Sequence, residues 1–318
     1  MNICFVLFFN HHYDENLKKL DSIYQNKFSY IRYLMPFYSG LRKDVIPVYD
    51  SSEVFQGFFA QALPHIYDDR FTHYIFLADD LLLNPNINET NILDALGLDD
   101  DTAYIKGLES LADAHFQFWA HAVKGINVFT DFCYKNSFCH YQKELPSYEE
   151  AITRFERHGI CNCTLTEKNF LMPEDAAAAK ETLAEYRFHE QLCNRVLFAS
   201  LQNTVKVQKE IPMPYPLAKG YSDLVIIPTT VVREFCRLCG VFAAMRLFAE
   251  IAIPTALLLS CKKYRNESHA GIKGCELWDY ATRQGLVGQF QGRLDLLLDS
   301  LSNTNQLYLH PVKLTEWR

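Results

Sequence analysis

The sequence predicts an α/β protein with a mixed, mostly parallel sheet flanked by helices. Three observations predict this class. Short apolar runs alternate with amphipathic segments from residue 3 to residue 80. Turn or capping residues separate these runs, which is typical of strands followed by helices. A further apolar run at 224–228 adds a strand in the second half of the chain.

The first half contains four predicted strands and two predicted helices. The first three strands are expected at 3–9, 29–37 and 44–49, and the fourth ends at Ala78. Acidic residues favour the start of a helix, so Asp14 is expected to open the first one. Ser51, Ser52 and Glu53 resemble the capping residues of the second. Because strands and helices alternate, the connections are expected to be crossovers between parallel strands.

The rest of the chain is expected to add an inserted, largely helical lobe and an acceptor-side half. The predicted units are a βα half at 1–125, the lobe at 126–210 and the last part at 211–318, all in one domain. A strand is expected at 117–123, and its His121 could face a site. A long helix is expected to begin at Pro173, because proline suits a first helical turn.

Composition narrows the class of function. The 318 residues carry a net charge of −7 and no basic tract, which argues against a nucleic-acid partner. Ten cysteines without a secretion signal favour reduced thiols and a cytoplasmic location. Cys236 and Cys239 lie in an apolar helical run and are expected to pack in the core.

The inserted lobe raises the question of a zinc site. Its cysteine and histidine side chains match no common zinc module by spacing, so incidental thiols are the expected interpretation. These residues are Cys133, Cys139, His140, His158, Cys161 and Cys163.

Asp79 and Asp80 are the most informative pair in the chain. They follow an apolar run that is predicted to be a buried strand, and carboxylates there are costly unless they leave the core or meet a cation. Ligands bind at the carboxyl ends of strands in open α/β sheets. Hard oxygen ligands at such a place suit Mg²⁺ or Mn²⁺ bridging a phosphate. The competing interpretation is a capped turn.

Two later stretches carry further polar groups. Lys219, Tyr221, Ser222 and Asp223 stand just before the strand at 224–228, and this mixture suits a polyhydroxylated ligand. A tight turn with Asp223 as its Asx residue is the alternative. Near the end of the chain, a strand-like run delivers His310 and then a lysine three residues later. Imidazole suits a transition metal such as Mn²⁺.

Together these features resemble a GT-A-type glycosyltransferase of the kind found in bacterial surface-polysaccharide assembly. The resemblance implies a GT-A-like, Rossmann-type sheet and transfer of a sugar from a nucleotide-diphosphate sugar, with UDP-sugars favoured. It implies that 1–125 is the nucleotide-sugar-binding half and that 211–318 is the acceptor-side half with a C-terminal metal and diphosphate segment. The implied setting is the cytoplasm, with the inner face of the cell membrane as the alternative. The acceptor would be a saccharide or a lipid-linked saccharide. One departure stands out, because Ala78 occupies the place where many members carry the first acid of the motif.

The resemblance also implies roles for individual residues. Asp80 and His310 would hold Mn²⁺ or Mg²⁺, and Asp223 would take the acceptor's proton if the reaction inverts the anomeric centre. The other implied contacts fall into two groups. The donor would meet His11, Tyr13, Asp50, Asp79 and Lys313. The acceptor would meet Lys219, Tyr221 and Ser222.

Three rival functions stay open. A sugar nucleotidyltransferase should carry a glycine-rich loop after the first strand, but the sequence there is Asn10-His11-His12-Tyr13. A non-catalytic sugar- or nucleotide-binding protein with a degenerate GT-A fold would explain Ala78. A metallohydrolase would need no acceptor. The apolar stretch at 231–260 is expected to be core, with a second subunit or a membrane surface as alternatives.

Overall fold

The computed structural model describes residues 2–116, 119–130, 139–171 and 192–318. It is an α/β structure in which a seven-stranded mixed sheet is flanked by helices. The described strands are β1 Ile3–Phe8, β2 Ile31–Pro36, β3 Val45–Val48, β4 His73–Ala78, β5 Leu82–Leu83, β6 Thr102–Ile105, β7 Leu108–Ser110, β8 Thr164–Thr166, β9 Glu210–Pro212, β10 Ala218–Gly220, β11 Leu224–Pro228, β12 Lys263–Arg265, β13 Lys273–Glu276 and β14 Gln306–His310.

The described helices vary from one turn to seventeen residues. They are α1 Asp14–Tyr24, α2 Gln56–Ile66, α3 Ile92–Leu96, α4 Ala120–Thr130, α5 Cys139–Gln142, α6 Tyr148–Arg157, α7 Leu192–Gln208, α8 Thr229–Ala244, α9 Ala249–Ser260, α10 Tyr280–Gln289 and α11 Leu294–Ser302. Among the described residues, no helix combines the length and the apolar character that crossing a bilayer requires.

The large sheet has the strand order β12-β6-β11-β4-β1-β2-β3. Six of its strands run parallel to one another, and β11 runs antiparallel to both of its neighbours. The predicted mostly parallel sheet is therefore confirmed. Because β11 is reversed, its first residue lies at the same edge as the carboxyl ends of the other strands. This reversal decides which polar residues meet at that edge.

Strand β1 is fully buried because helices cover both faces of the sheet. Phe5 contacts Tyr24 of α1 and stacks on Phe28, whereas Phe8 contacts Phe55 and Phe59 on the opposite side. Residues three apart in a strand point to opposite faces, so one strand anchors both layers. Burying each such ring contributes about 1.5–3 kcal/mol.

Helices α2, α8 and α9 form a continuous apolar layer over one face. Cys236 and Cys239 are fully buried in α8, and burial raises the pKa of both thiols. The predictions that this pair packs in the core and that 231–260 is buried helix are both confirmed. A redox role is thereby disfavoured, since a buried thiol in apolar surroundings is inert.

Two expected elements need correction or fall outside the structure. Residues 120–130 form helix α4 and not the predicted strand at 117–123, of which residues 117 and 118 are not described. Ala122, Val123 and Ile126 are buried, which is the spacing of one face of a helix. The predicted strand at 117–123 is too short to show this period. The helix start predicted at Pro173 lies outside the described residues.

The region 126–210 contains more than helices. It holds the end of α4, helices α5, α6 and α7, and strand β8, which pairs with β9. His158 packs against Tyr264, and its Nε2 lies 3.0 Å from the carbonyl oxygen of Cys261. Cys161 is exposed and Cys163 is buried. Cys133 and the side chain of Cys139 are not described.

Candidate functional site

The polar residues predicted to form a site come together at the carboxyl edge of the large sheet. Asp79 and Asp80 directly follow β4, and the Asp79 amide donates to the carbonyl oxygen of Phe8 at the end of β1. The Ala78 amide donates to the carbonyl oxygen of Asp223 at 2.8 Å. The antiparallel β11 therefore delivers Asp223 next to the Asp-Asp pair.

His310 reaches this edge by a second, smaller sheet. Strand β14 pairs with β5, which immediately follows the Asp-Asp pair, and with β13. His310 Nε2 lies 3.2 Å from Asp80 Oδ1, and the backbone amide of Val312 donates to the Asp80 carbonyl oxygen at 2.7 Å. The two aspartates, Asp223 and His310 are hereafter called the carboxylate cluster.

Charges in the carboxylate cluster are poorly neutralised. Burial raises the pKa of Asp79 to about 7, with the charge of Asp80 adding to the effect. Burial also raises the pKa of Asp223 to about 6. Burial by itself would lower the pKa of His310, but the surrounding carboxylates outweigh it and raise that pKa. Burial is thus the main cause for the two aspartates, and the neighbouring carboxylates are the cause for the imidazole.

Several buried polar atoms of this region have no hydrogen-bond partner within the described residues. They are Asn16 Oδ1, His310 Nδ1 and the Tyr221 hydroxyl, while Asp80 Oδ1 has the 3.2 Å contact with His310 Nε2 and no further partner among these residues. Asn16 does contact the cluster, since its Nδ2 donates to Asp79 Oδ2 at 3.5 Å. Buried polar groups are normally satisfied, so a concentration of unsatisfied ones indicates a place where a ligand or ion completes the bonding.

The donor set of the cluster fits a divalent cation that arrives with its substrate. Two ligands at right angles, each about 2.1 Å from one cation, lie roughly 3.0 Å apart, close to the observed spacing of Asp80 Oδ1 and His310 Nε2. Within the described ranges, no group of three or more His, Cys, Asp or Glu side chains is arranged to hold a metal. Mg²⁺ commonly uses one or two carboxylates together with substrate phosphates, so two protein ligands suffice for that case.

Aromatic rings line one side of the carboxylate cluster. The Tyr221 ring lies 5.6 Å from that of His310 and stacks on Tyr308 at 5.9 Å. Trp278 approaches His310 edge to face at 5.3 Å. The Tyr308 hydroxyl donates to Glu276 at 2.7 Å. These rings fix the orientation of His310 and leave its Nε2 directed toward Asp80.

Other predicted donor contacts lie around the edge but are not joined to the cluster by a side-chain contact in the described structure. Asp50 follows β3 and forms an ion pair with Arg246 at 2.5 Å. His11 Nδ1 contacts the carbonyl oxygen of its neighbour Asn10 at 2.6 Å, and Tyr13 is 41% exposed. Lys313 is exposed and lies one residue beyond the backbone contact of Val312 with Asp80.

The predicted acceptor residues divide into two kinds. Lys219 and Tyr221 line a cleft of about 540 Å³, where the Lys219 ammonium forms an ion pair with Glu109. Ser222 is fully buried, and its hydroxyl donates to the carbonyl oxygen of Gly220 at 3.2 Å. The turn thus uses the Ser222 hydroxyl internally, which removes it from the acceptor groups.

Sequence reasoning missed several residues of the site. Glu250 lines the cleft, and it is the single charged residue of the apolar helix α9, a signal that the sequence did offer. Trp119 and Glu109 also line the cleft. Lys106 follows strand β6, which was not predicted, and it forms an ion pair with Glu276. His121 was a weak candidate; its ring stacks on Phe248 at 3.7 Å, and burial lowers its pKa to about 4.

Comparisons of the chain with models of protein families, with curated proteins and with solved structures found no match. The function therefore has to be argued from the geometry of the site.

Proposed function

We propose that the protein is a glycosyltransferase that moves a sugar from a nucleotide-diphosphate sugar to a saccharide or lipid-linked saccharide acceptor. The observation that carries this proposal is the convergence of Asp79, Asp80, Asp223 and His310 at one sheet edge, where buried polar atoms lack partners. A mostly parallel sheet with its polar residues at the carboxyl edge is compatible with a GT-A-like arrangement.

The chemistry of the cluster supports a divalent cation as cofactor. Mn²⁺ or Mg²⁺ would be held by Asp80 and His310, and when bound it would neutralise charge on the departing diphosphate. Ala78 carries no ligand atom, so the protein ligands would reduce to these two residues. Lys313 would add a further positive charge for the diphosphate.

The remaining residues would bind the substrates and orient the groups around them. Asp79 would accept hydrogen bonds from the hydroxyl groups of the donor, and Tyr221 and Trp278 pack against the His310 ring. Aromatic rings and carboxylates in the neighbouring cleft suit sugar C–H groups and hydroxyls. The protein would act where its acceptor is made, in the cytoplasm or at the inner face of the membrane.

Calorimetric titration of UDP, GDP and CMP, with and without Mn²⁺, tests the proposal. We expect Mn²⁺-dependent binding of one nucleotide by the wild type and its loss in Asp80→Ala. Asp299→Ala, which changes an exposed aspartate of α11, is the matched control and should bind normally. Binding that needs no Mn²⁺ and tolerates Asp80→Ala would favour a degenerate, non-catalytic protein. Failure of all three nucleotides to bind would reject the proposal.

A further inference from the structure

The cleft beside the carboxylate cluster has the dimensions of a ligand site. Its volume of about 540 Å³ falls within the usual range for small-molecule pockets. Tyr221 belongs to both regions, since it lines the cleft and its ring lies 5.6 Å from His310. A ligand in the cleft would therefore lie next to a donor held at the cluster.

Glu250 is the unpaired carboxylate of this cleft. It lies in the first turn of α9, whose other residues are uncharged and mostly buried. Glu109, which also lines the cleft, is ion-paired with Lys219, whereas Glu250 forms no ion pair or hydrogen bond within the described part of the chain. A half-buried acid without such a partner on an apolar helix is costly, which points to a functional use.

The charged groups around Glu250 come from three other elements. Burial raises its pKa to about 7, and the charge of Asp223 before β11 adds to the increase. His310 of β14 and Lys219 of β10 oppose that increase. Such a carboxyl is partly ionised at neutral pH and still basic enough to take a proton, the condition that general-base catalysis requires.

The lining of the cleft defines the chemistry of its ligand. Trp119 offers an indole ring, with the Lys219 ammonium 5.8 Å from the ring centroid. Gly107 and Gly220 bring two backbones close together, since a Cβ atom at Gly220 would collide with the Gly107 carbonyl oxygen. Aromatic faces suit sugar C–H groups, and free carboxylates accept hydroxyl protons. Because the lysine is already neutralised by Glu109, an acidic sugar gains no counter-ion here.

We infer that this cleft binds an uncharged saccharide and that Glu250 takes the proton of its attacking hydroxyl group. The inference rests on the proposed function and deepens it. The acceptor oxygen forms a bond with the anomeric carbon as the bond from that carbon to the diphosphate oxygen breaks. The bonding electron pair leaves on the nucleoside diphosphate, and the hydroxyl proton moves to the Glu250 carboxylate. This in-line displacement inverts the anomeric configuration.

This assignment changes the role expected for Asp223. Asp223 stays beside Asp80 and His310, where its charge helps to raise the pKa of the imidazole. It is then a positioning residue for His310, while the acceptor's proton goes to Glu250, which faces the cleft. The two carboxylates are separable by mutation because they act on opposite partners of the reaction.

The test compares Glu250→Gln with wild type, using the nucleotide sugar whose nucleotide binds in calorimetry. The first readout is Mn²⁺-dependent nucleotide binding, which Glu250→Gln should leave within about twofold of wild type. The second readout is the rate at which nucleoside diphosphate is released, measured over a range of pH. It is measured without a saccharide acceptor and with lactose or N,N′-diacetylchitobiose. We expect kcat to fall at least about 100-fold, which is the lower end of general-base effects. In the wild type kcat should decrease as pH falls below about 7, and this decrease should disappear in Glu250→Gln.

Controls separate this inference from the proposed function. Glu149→Gln changes an exposed glutamate on α6 and should behave as wild type. Asp223→Asn should keep the decrease in kcat at acidic pH but move it to lower pH, because the charge of Asp223 raises the pKa of Glu250. Full turnover with an unchanged pH profile in Glu250→Gln would overturn the inference while leaving the proposed function intact. Donor binding without any nucleotide release by the wild type would also overturn it. A wild type that binds none of the three nucleotides would reject the proposed function itself.

Discussion

Two acidic regions of this protein differ in what surrounds their carboxylates. Near the outer edge of the sheet, Arg42 forms ion pairs with Asp21 at 2.8 Å and with Asp44 at 2.5 Å. The guanidinium lowers the pKa of both aspartates. In the carboxylate cluster, by contrast, burial and neighbouring charge raise the pKa of Asp79 and Asp223.

The contrast distinguishes acids that hold the fold together from acids that, in the proposed function, bind a ligand. Around Arg42 every acceptor has a cation, so removing the arginine leaves two uncompensated charges. In the carboxylate cluster, half-buried carboxylates and unsatisfied atoms cost stability, and the proposed cation would reduce that cost. The four predictions that follow test this difference, beginning with the largest effect.

Replacing His310 should weaken Mn²⁺-dependent nucleotide binding the most. We expect His310→Ala to raise the Kd by about 10- to 100-fold, or roughly 1.4–2.8 kcal/mol, because one of two protein ligands is lost. Calorimetry measures the change. His65→Ala, which removes an exposed imidazole from α2, is the matched control. Equal affinities for His310→Ala and wild type would remove His310 from the metal site.

Breaking the Arg42 network should destabilise the protein without affecting ligand binding. Arg42→Gln should lower the free energy of unfolding by about 1 kcal/mol at pH 7, a figure reduced because these groups are about one-third exposed. Arg42 depresses the pKa of Asp21 and Asp44 in the folded state, so its contribution is present above pH 4 and is lost as pH falls through the folded values. Urea denaturation at several pH values measures it. A loss of nucleotide affinity in this variant would contradict the separation of the two regions.

Neutralising Glu250 should have the opposite effect on stability. The pKa of Glu250 is raised to about 7 in the folded state, so the folded protein binds more protons than the unfolded chain between about pH 4.5 and pH 7. Stability therefore falls as pH rises through that window. Relative to wild type, the free energy of unfolding of Glu250→Gln should be higher by on the order of 1 kcal/mol at pH 8 and nearly equal at pH 4.5. The effect is this small because the cleft admits solvent, which screens the charge. Thermal denaturation in the presence of a chelator measures the difference, and destabilisation at pH 8 would argue that Glu250 is structural.

The Asp50–Arg246 ion pair should contribute least. Arg246 is 61% exposed, and pairs of this kind contribute little to stability. We expect Arg246→Gln to change the free energy of unfolding by less than about 0.5 kcal/mol. Urea denaturation at pH 7 compares it with Arg42→Gln. A loss equal to that of Arg42→Gln would show that this pair belongs with the structural ion pairs.

Much of the sheet could be predicted from local patterns. Strands β1 to β4 and helices α1 and α2 agree with their predicted positions because each has its own apolar run and its own turn or capping residues. Strand β6 was missed, since its four residues follow an acidic loop and offer little pattern. Helix α4 was predicted as a strand because the window around His121 was too short to reveal a helical period.

The sequence by itself determined that Asp79 and Asp80 stand at the end of a buried strand, because strand and turn propensities act between neighbours in the chain. It also placed a histidine at the end of a C-terminal strand. Only the tertiary structure decided that His310 lies 3.2 Å from Asp80 and that Asp223 joins them. Those contacts depend on β14 pairing with β5 and on the reversal of β11. Strand pairing and direction are set by packing between residues far apart in sequence, which local patterns do not encode.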